Sequence, residues 1–108
     1  MAKRKSNPFV GRWRIVWMEL WGQDFVDMEV PGYFTFREDG GGDFQFGLVC
    51  GAMDYRVNGD CVEFSWNGND EMDDASGRGH AKIDPKDIVG CIYFHKGDDS
   101  EFRAVKAS

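Results

Sequence analysis

The sequence predicts an all-β protein: an eight-stranded antiparallel up-and-down barrel with at most one short helical turn near 23–30. Apolar side chains, most of them aromatic, recur at every second residue in short runs, which is the spacing of a strand with one buried face. Clusters of Gly, Asn, Asp and Pro separate those runs at close intervals. The third observation is size. Eight short strands in a chain of 108 residues leave two exposed edges unless the sheet closes on itself.

The elements follow in order. GRWRIVW opens the sheet, with Trp13, Ile15 and Trp17 on one face and Arg12 and Arg14 on the other; the same phase continues to Glu19 and Trp21. GQDFVDMEVPG holds the helical turn, which must end before Pro31. GYFTFRE sets Phe34 and Phe36 in phase, and EDGGGD turns the chain into FQFGLV, where Phe44, Phe46 and Leu48 alternate. AMDYRV and CVEFSW flank NGD, and Asn58-Gly59 is a hairpin signal because both residue types tolerate positive φ. NGNDEMDDASG reads as a loop. RGHAKI, a turn at DPKD, IVGCIYFH, a turn at KGDDS and EFRAVKA complete the set. Pairing about DPKD sets His80 opposite Cys91.

Composition bounds the rest. Residues 1–8 are expected to be a flexible basic arm and 9–108 a single barrel domain, since a chain this short supports one core. Apolar residues at 42% and aromatics at 15% suffice for a folded, aromatic-rich core. No apolar run approaches the roughly 20 residues of a membrane helix, and MAKRK is not followed by the apolar segment of a secretory signal. A soluble, cytoplasmic chain without membrane contact is therefore expected.

The formal charge is −6, and setting aside Lys3, Arg4 and Lys5 leaves ten basic residues against nineteen acidic, or −9. Such a body repels phosphate backbones, so nucleic acid is not an expected partner. Cys50, Cys61 and Cys91 lie in or beside apolar strands, where cysteine behaves as a small hydrophobe. Their odd number and the lack of any Cys-x-x-Cys argue against a disulfide framework or a metal centre. No cofactor is expected.

PFVGRWRI resembles the amino-terminal Gly-x-Trp signature of lipocalins and the wider calycin group. In that group the tryptophan closes the bottom of the barrel and an arginine of the last strand packs across it. The resemblance implies that Gly11 and Trp13 form the closure with Arg103 in EFRAVKA as the arginine, and that the interior takes a small ligand.

An eight-stranded barrel either fills its interior with its own side chains or encloses one small molecule. Trp13, Ile15, Trp17, Trp21, Phe34, Phe36, Phe44, Phe46, Phe64, Trp66 and Phe94 all take the inward phase. They form a solid aromatic core or the walls of a pocket. For the pocket, the candidate ligand-binding residues are Trp17, Glu19, Trp21, Phe36, Phe46, Tyr55, Arg56 and Trp66. Glu19, between two tryptophans, would anchor a polar group and needs a partner such as Arg56 if it faces inward. On AMDYRV the inward set is either Asp54 and Arg56, or Met53, Tyr55 and Val57.

Three function classes follow. The leading one is a lipocalin-like barrel binding a small apolar or aromatic ligand inside. The second is a protein-binding or protease-inhibitor-like module with a solid core. The third is a small barrel isomerase or lyase acting through Glu19 or Tyr55. NGNDEMDD offers alternating oxygen ligands but places Met72 where an EF-hand loop needs glycine. SGRGH could form an anion nest but lacks the strand-to-helix transition of a phosphate loop, and its glycines serve barrel curvature. His80 and Cys91 could form a dyad, yet no third orienting residue is specified.

Overall fold

Alternation of buried aromatic and exposed polar side chains closes the sheet into a barrel. The computed structural model describes residues 7–84 and 86–107. Its strands are β1 (Gly11–Met18), β2 (Tyr33–Phe36), β3 (Gly41–Phe46), β4 (Val49–Asn58), β5 (Cys61–Asp70), β6 (Asp73–Ile83), β7 (Ile88–Phe94) and β8 (Asp99–Lys106), with one helical turn, α1 (Gln23–Val26). All neighbours pair antiparallel in chain order, and β1 against β8 completes the circle. The expected fold class is the one observed, and a closed eight-stranded barrel is compatible with a calycin-like architecture. The first six residues of the expected basic arm, and Pro85 of the DPKD turn, lie outside the described residues.

Phe34, Phe36, Phe44, Phe46, Phe64, Trp66 and Phe102 all point inward and are buried, as are Trp13, Ile15 and Ile92. Burial of each such side chain stabilises the fold by about 1.5–3 kcal/mol. Their rings touch in series: Phe34 lies 4.6 Å from Phe102 and 5.4 Å from Phe44 between centroids, and Phe44 lies 5.1 Å from Trp66. The interior is thus occupied by a continuous aromatic cluster. On β4 the inward set is Met53, Tyr55 and Val57, and Arg56 is exposed. His80 does face Cys91, and Asn58 pairs with Cys61 across a tight hairpin.

Three expectations are corrected. Trp17 leaves the inward face, because the register against β8 slips between Ile15 and Trp17; this bulge turns Trp17 out to 47% exposure and Met18 inward. NGNDEMDDASG is a hairpin and not a loop: β5 and β6 stay paired from Asn67↔Ser76 to Asp70↔Asp73, with Glu71 and Met72 as the turn. The backbone ladder satisfies the polar sequence there, and Gly68 takes an inward position. Leu48 belongs to the Gly47-Leu48 turn and does not extend β3.

At the end where β1 begins and β8 finishes, Trp13 is 2% exposed and its Nε1 donates to the Phe9 carbonyl at 2.9 Å. Gly11 sits at φ 126, a conformation that favours glycine, which gives the Gly-x-Trp pair its physical reason. The cation over the ring is Lys106, whose Nζ is 4.8 Å from the centroid, and not Arg103. Phe102 and Ala104 face inward, so strand alternation sends Arg103 outward, where it bonds Asp87 at 3.3 Å, and brings Lys106 back into phase with Trp13.

Candidate functional site at the helix-capped end

The opposite end collects the β1–β2, β3–β4, β5–β6 and β7–β8 connections, and α1 lies across it. Gln23 Nε2 donates to the Ile15 carbonyl at 3.0 Å, and the Gly47 N–H donates to the Val26 carbonyl at 2.9 Å. The Phe25 ring occupies the space a side chain at Gly47 would need. Trp21 stacks on Phe25 at 6.1 Å and tilts against Phe46 at 5.2 Å and Phe94 at 5.8 Å. The half-buried Trp21, Phe25 and Phe94 rings close the barrel over the buried Phe46.

Asp27 pins the return from α1. Its Oδ1 accepts the Gly32 N–H at 2.8 Å, and its Oδ2 accepts Arg14 Nη2 at 3.0 Å and Gln23 Nε2 at 3.1 Å. Burial pushes its carboxyl up, but the Gly32 N–H, the Gln23 amide and Arg14 outweigh burial and hold it below the ordinary value. A depressed carboxylate stabilises the fold above its unfolded pKa and loses that contribution as pH falls through the folded one. The cap is therefore expected to loosen only below about pH 4, and Asp27→Asn to remove that acid-dependent step. Trp emission followed from pH 6 to 2 in both proteins checks it; identical profiles would reject the latch.

Beneath the cap, Trp66 is 4% exposed and meets Phe44 and Phe94 edge-on, each at 5.1 Å. Its indole Nε1 is buried and has no hydrogen-bond partner among the described residues. Trp66 pairs with Gly77 across β5 and β6, and a Cβ at Gly77 would fall 3.0 Å from that nitrogen. The indole and Gly77 form the floor of an open concavity of about 500 Å³. Ser76, Arg78, Tyr93, Phe94, His95 and Lys96 also line it. An unpaired buried donor costs about 1–3 kcal/mol, which an acceptor brought by a ligand would recover.

No family model, curated protein or solved structure matches this chain.

The residues expected from sequence do not form one constellation. Trp21 and Phe46 touch at the capped end and connect to Trp66 through Phe44 and Phe94. Phe36 and Tyr55 lie at the other end, in contact at 5.0 Å, where the Tyr55 hydroxyl accepts from Asn7 Nδ2 at 3.0 Å and donates to the Arg37 carbonyl. Trp17, Glu19 and Arg56 are exposed on the outside, and Glu19 Oε1 accepts the Glu101 N–H at 3.2 Å. Glu19 and Tyr55 stand at opposite ends, so no single substrate reaches both.

Gly77, Arg78, Phe94, His95 and Lys96 complete the candidate site. The SGRGH and FHK stretches that carry them join only through the β6–β7 pairing, Gly77↔Phe94 and Arg78↔Tyr93. His80 contacts the Tyr93 hydroxyl at 3.3 Å, and burial pushes the Cys91 thiol up despite the hydrogen bond with Tyr93, which opposes a thiolate nucleophile there. Among the described residues no three His, Cys, Asp or Glu side chains are grouped as metal ligands, and no helix is long and apolar enough to cross a membrane.

Proposed function

We propose that this protein is a small binding barrel that takes a flat apolar or aromatic molecule at its helix-capped end, with Trp66 as the floor. The observation that carries this reading is the buried, unpaired Trp66 Nε1 set among aromatic walls beside a concavity. Rings offer area to a flat molecule, and one fixed donor orients it. The middle of the barrel is occupied by the protein's own rings, so this reading places the ligand at the surface concavity and not in the barrel interior. The Glu19 or Tyr55 enzyme reading has no comparable support.

A panel of flat aromatic probes, with and without a carbonyl acceptor, tests it by tryptophan emission. Acceptor-bearing probes are expected to change the emission saturably, and Trp66→Phe to weaken them by about two- to tenfold, the worth of a net hydrogen bond of roughly 0.5–1.5 kcal/mol. Emission unmoved by any probe would sink the proposal.

The protein-binding alternative is favoured by a different observation. Trp17, 47% exposed, borders an outer groove of about 560 Å³ that also runs past Val89, Cys91 and Arg103. An exposed aromatic beside a groove is the kind of anchor protein interfaces use.

A further inference from the structure

We infer that the molecule seated at the capped end is an aromatic carboxylate, its ring against Phe94 and Trp66 and its carboxylate received by Arg78 with Lys96 and His95. This rests on the binding reading above and names the ligand class of that same site. The charge distribution carries it. The chain holds nineteen acidic residues against thirteen Lys and Arg, yet no carboxylate among the described residues lines this concavity, whereas Arg78, Lys96 and the imidazole of His95 do.

Arg78 is also uncommitted. Arg14, Arg37 and Arg103 each make an ion pair with an aspartate, and Arg12 lies over the Tyr33 ring at 4.0 Å. Arg78 has no ion pair among the described residues; it projects from the outer face of β6 between Ser65 of β5 and Tyr93 of β7. Arg78 lines the concavity, and a guanidinium can pair a carboxylate through two parallel hydrogen bonds.

The second, independent pointer is the Trp66 indole, a buried donor without an acceptor. A neutral hydrocarbon would leave that donor unpaired. Trp66 and Arg78 both line the concavity, from the inner and the outer side of the sheet, and Gly77 between them puts no side chain in the way. The lining Ser76 hydroxyl offers a further donor. Ring and anion are therefore read by different groups within one concavity.

The test uses an isosteric pair, 2-naphthoate and 2-naphthamide, which share ring and carbonyl and differ in charge. Binding is followed through the Trp66 indole N–H resonance in the full-length protein. Both probes are expected to shift that resonance saturably, with naphthoate binding about tenfold tighter, as a charge-assisted hydrogen bond allows. Arg78→Gln should erase the preference by weakening naphthoate more than naphthamide. Lys96→Gln, at an exposed turn, should reduce the preference and serves if the Arg78 variant does not fold. Equal affinities in the wild type, or a preference kept in both variants, would overturn the carboxylate assignment alone. A Trp66 resonance unmoved by either probe would overturn the binding reading beneath it.

Discussion

Trp13→Ala is expected to lower the unfolding free energy by about 3–5 kcal/mol, the range for deleting a large buried ring whose cavity cannot collapse. Trp13 sits in β1 between partners on both sides, Phe34 of β2 and Lys106 of β8, so the backbone around it is held by two ladders. The ring's removal also leaves the Phe9 carbonyl without its indole donor. For a domain of this size that loss moves the thermal midpoint by more than roughly 10 °C. Lys106→Gln should cost no more than about 1 kcal/mol, since an exposed cation over a ring contributes little more. Arg103→Gln should weaken only the outer bond to Asp87. A Trp13→Ala midpoint within a few degrees of the parent would reject the closing role of the tryptophan.

The parts of the fold that were legible from sequence are those set by strand alternation. Phe34, Phe36, Phe44, Phe46, Phe64 and Trp66 lie where a period of two places them, because a one-residue slip would expose the whole set. The DPKD turn fixed the His80↔Cys91 pairing in the same way. Trp17 failed the pattern because a bulge adds one residue to β1 against β8, and GRWRIVWM contains no local sign of it. The closing cation failed for a simpler reason. The parity of Phe102 and Ala104 already excluded Arg103 and favoured Lys106, but the family resemblance named an arginine.

NGNDEMDDASG looked like a loop because Asn, Asp and Gly disfavour strands, yet its two halves pair with each other from Asn67↔Ser76 to Asp70↔Asp73. The candidate site was the least legible part. Trp66 was readable as an inward ring, whereas its unpaired nitrogen and the concavity beside it exist only once β5, β6 and β7 are in register. That register brings Gly77 beside Trp66 on one side and Phe94 on the other. No spacing within SGRGH or FHK encodes that meeting.

Gly77→Ala is the second large effect, and it tests whether the glycines of SGRGH shape the barrel. A Cβ built on Gly77 overlaps the carbonyl oxygen of Tyr93 on β7, and a further contact falls 3.0 Å away at Trp66 Nε1. The first obstacle is backbone, which cannot rotate aside as a side-chain end can. To admit the methyl, β6 and β7 must part where Gly77 pairs with Phe94, or the strand must lose the sharp curve that brings the two so close. Overpacking that forces backbone movement costs about 1–3 kcal/mol and more where two strands are pinned, so a loss of about 3 kcal/mol is expected here. Gly22→Ala is the control: a Cβ there meets nothing within 4 Å and the backbone stands at φ −72, so the change should stay within about 1 kcal/mol. Urea unfolding of both variants, read as midpoints at equal slope, separates the cases. Coincident midpoints would mean that the β6–β7 junction yields freely, and the close approach at Gly77 would then have no structural role.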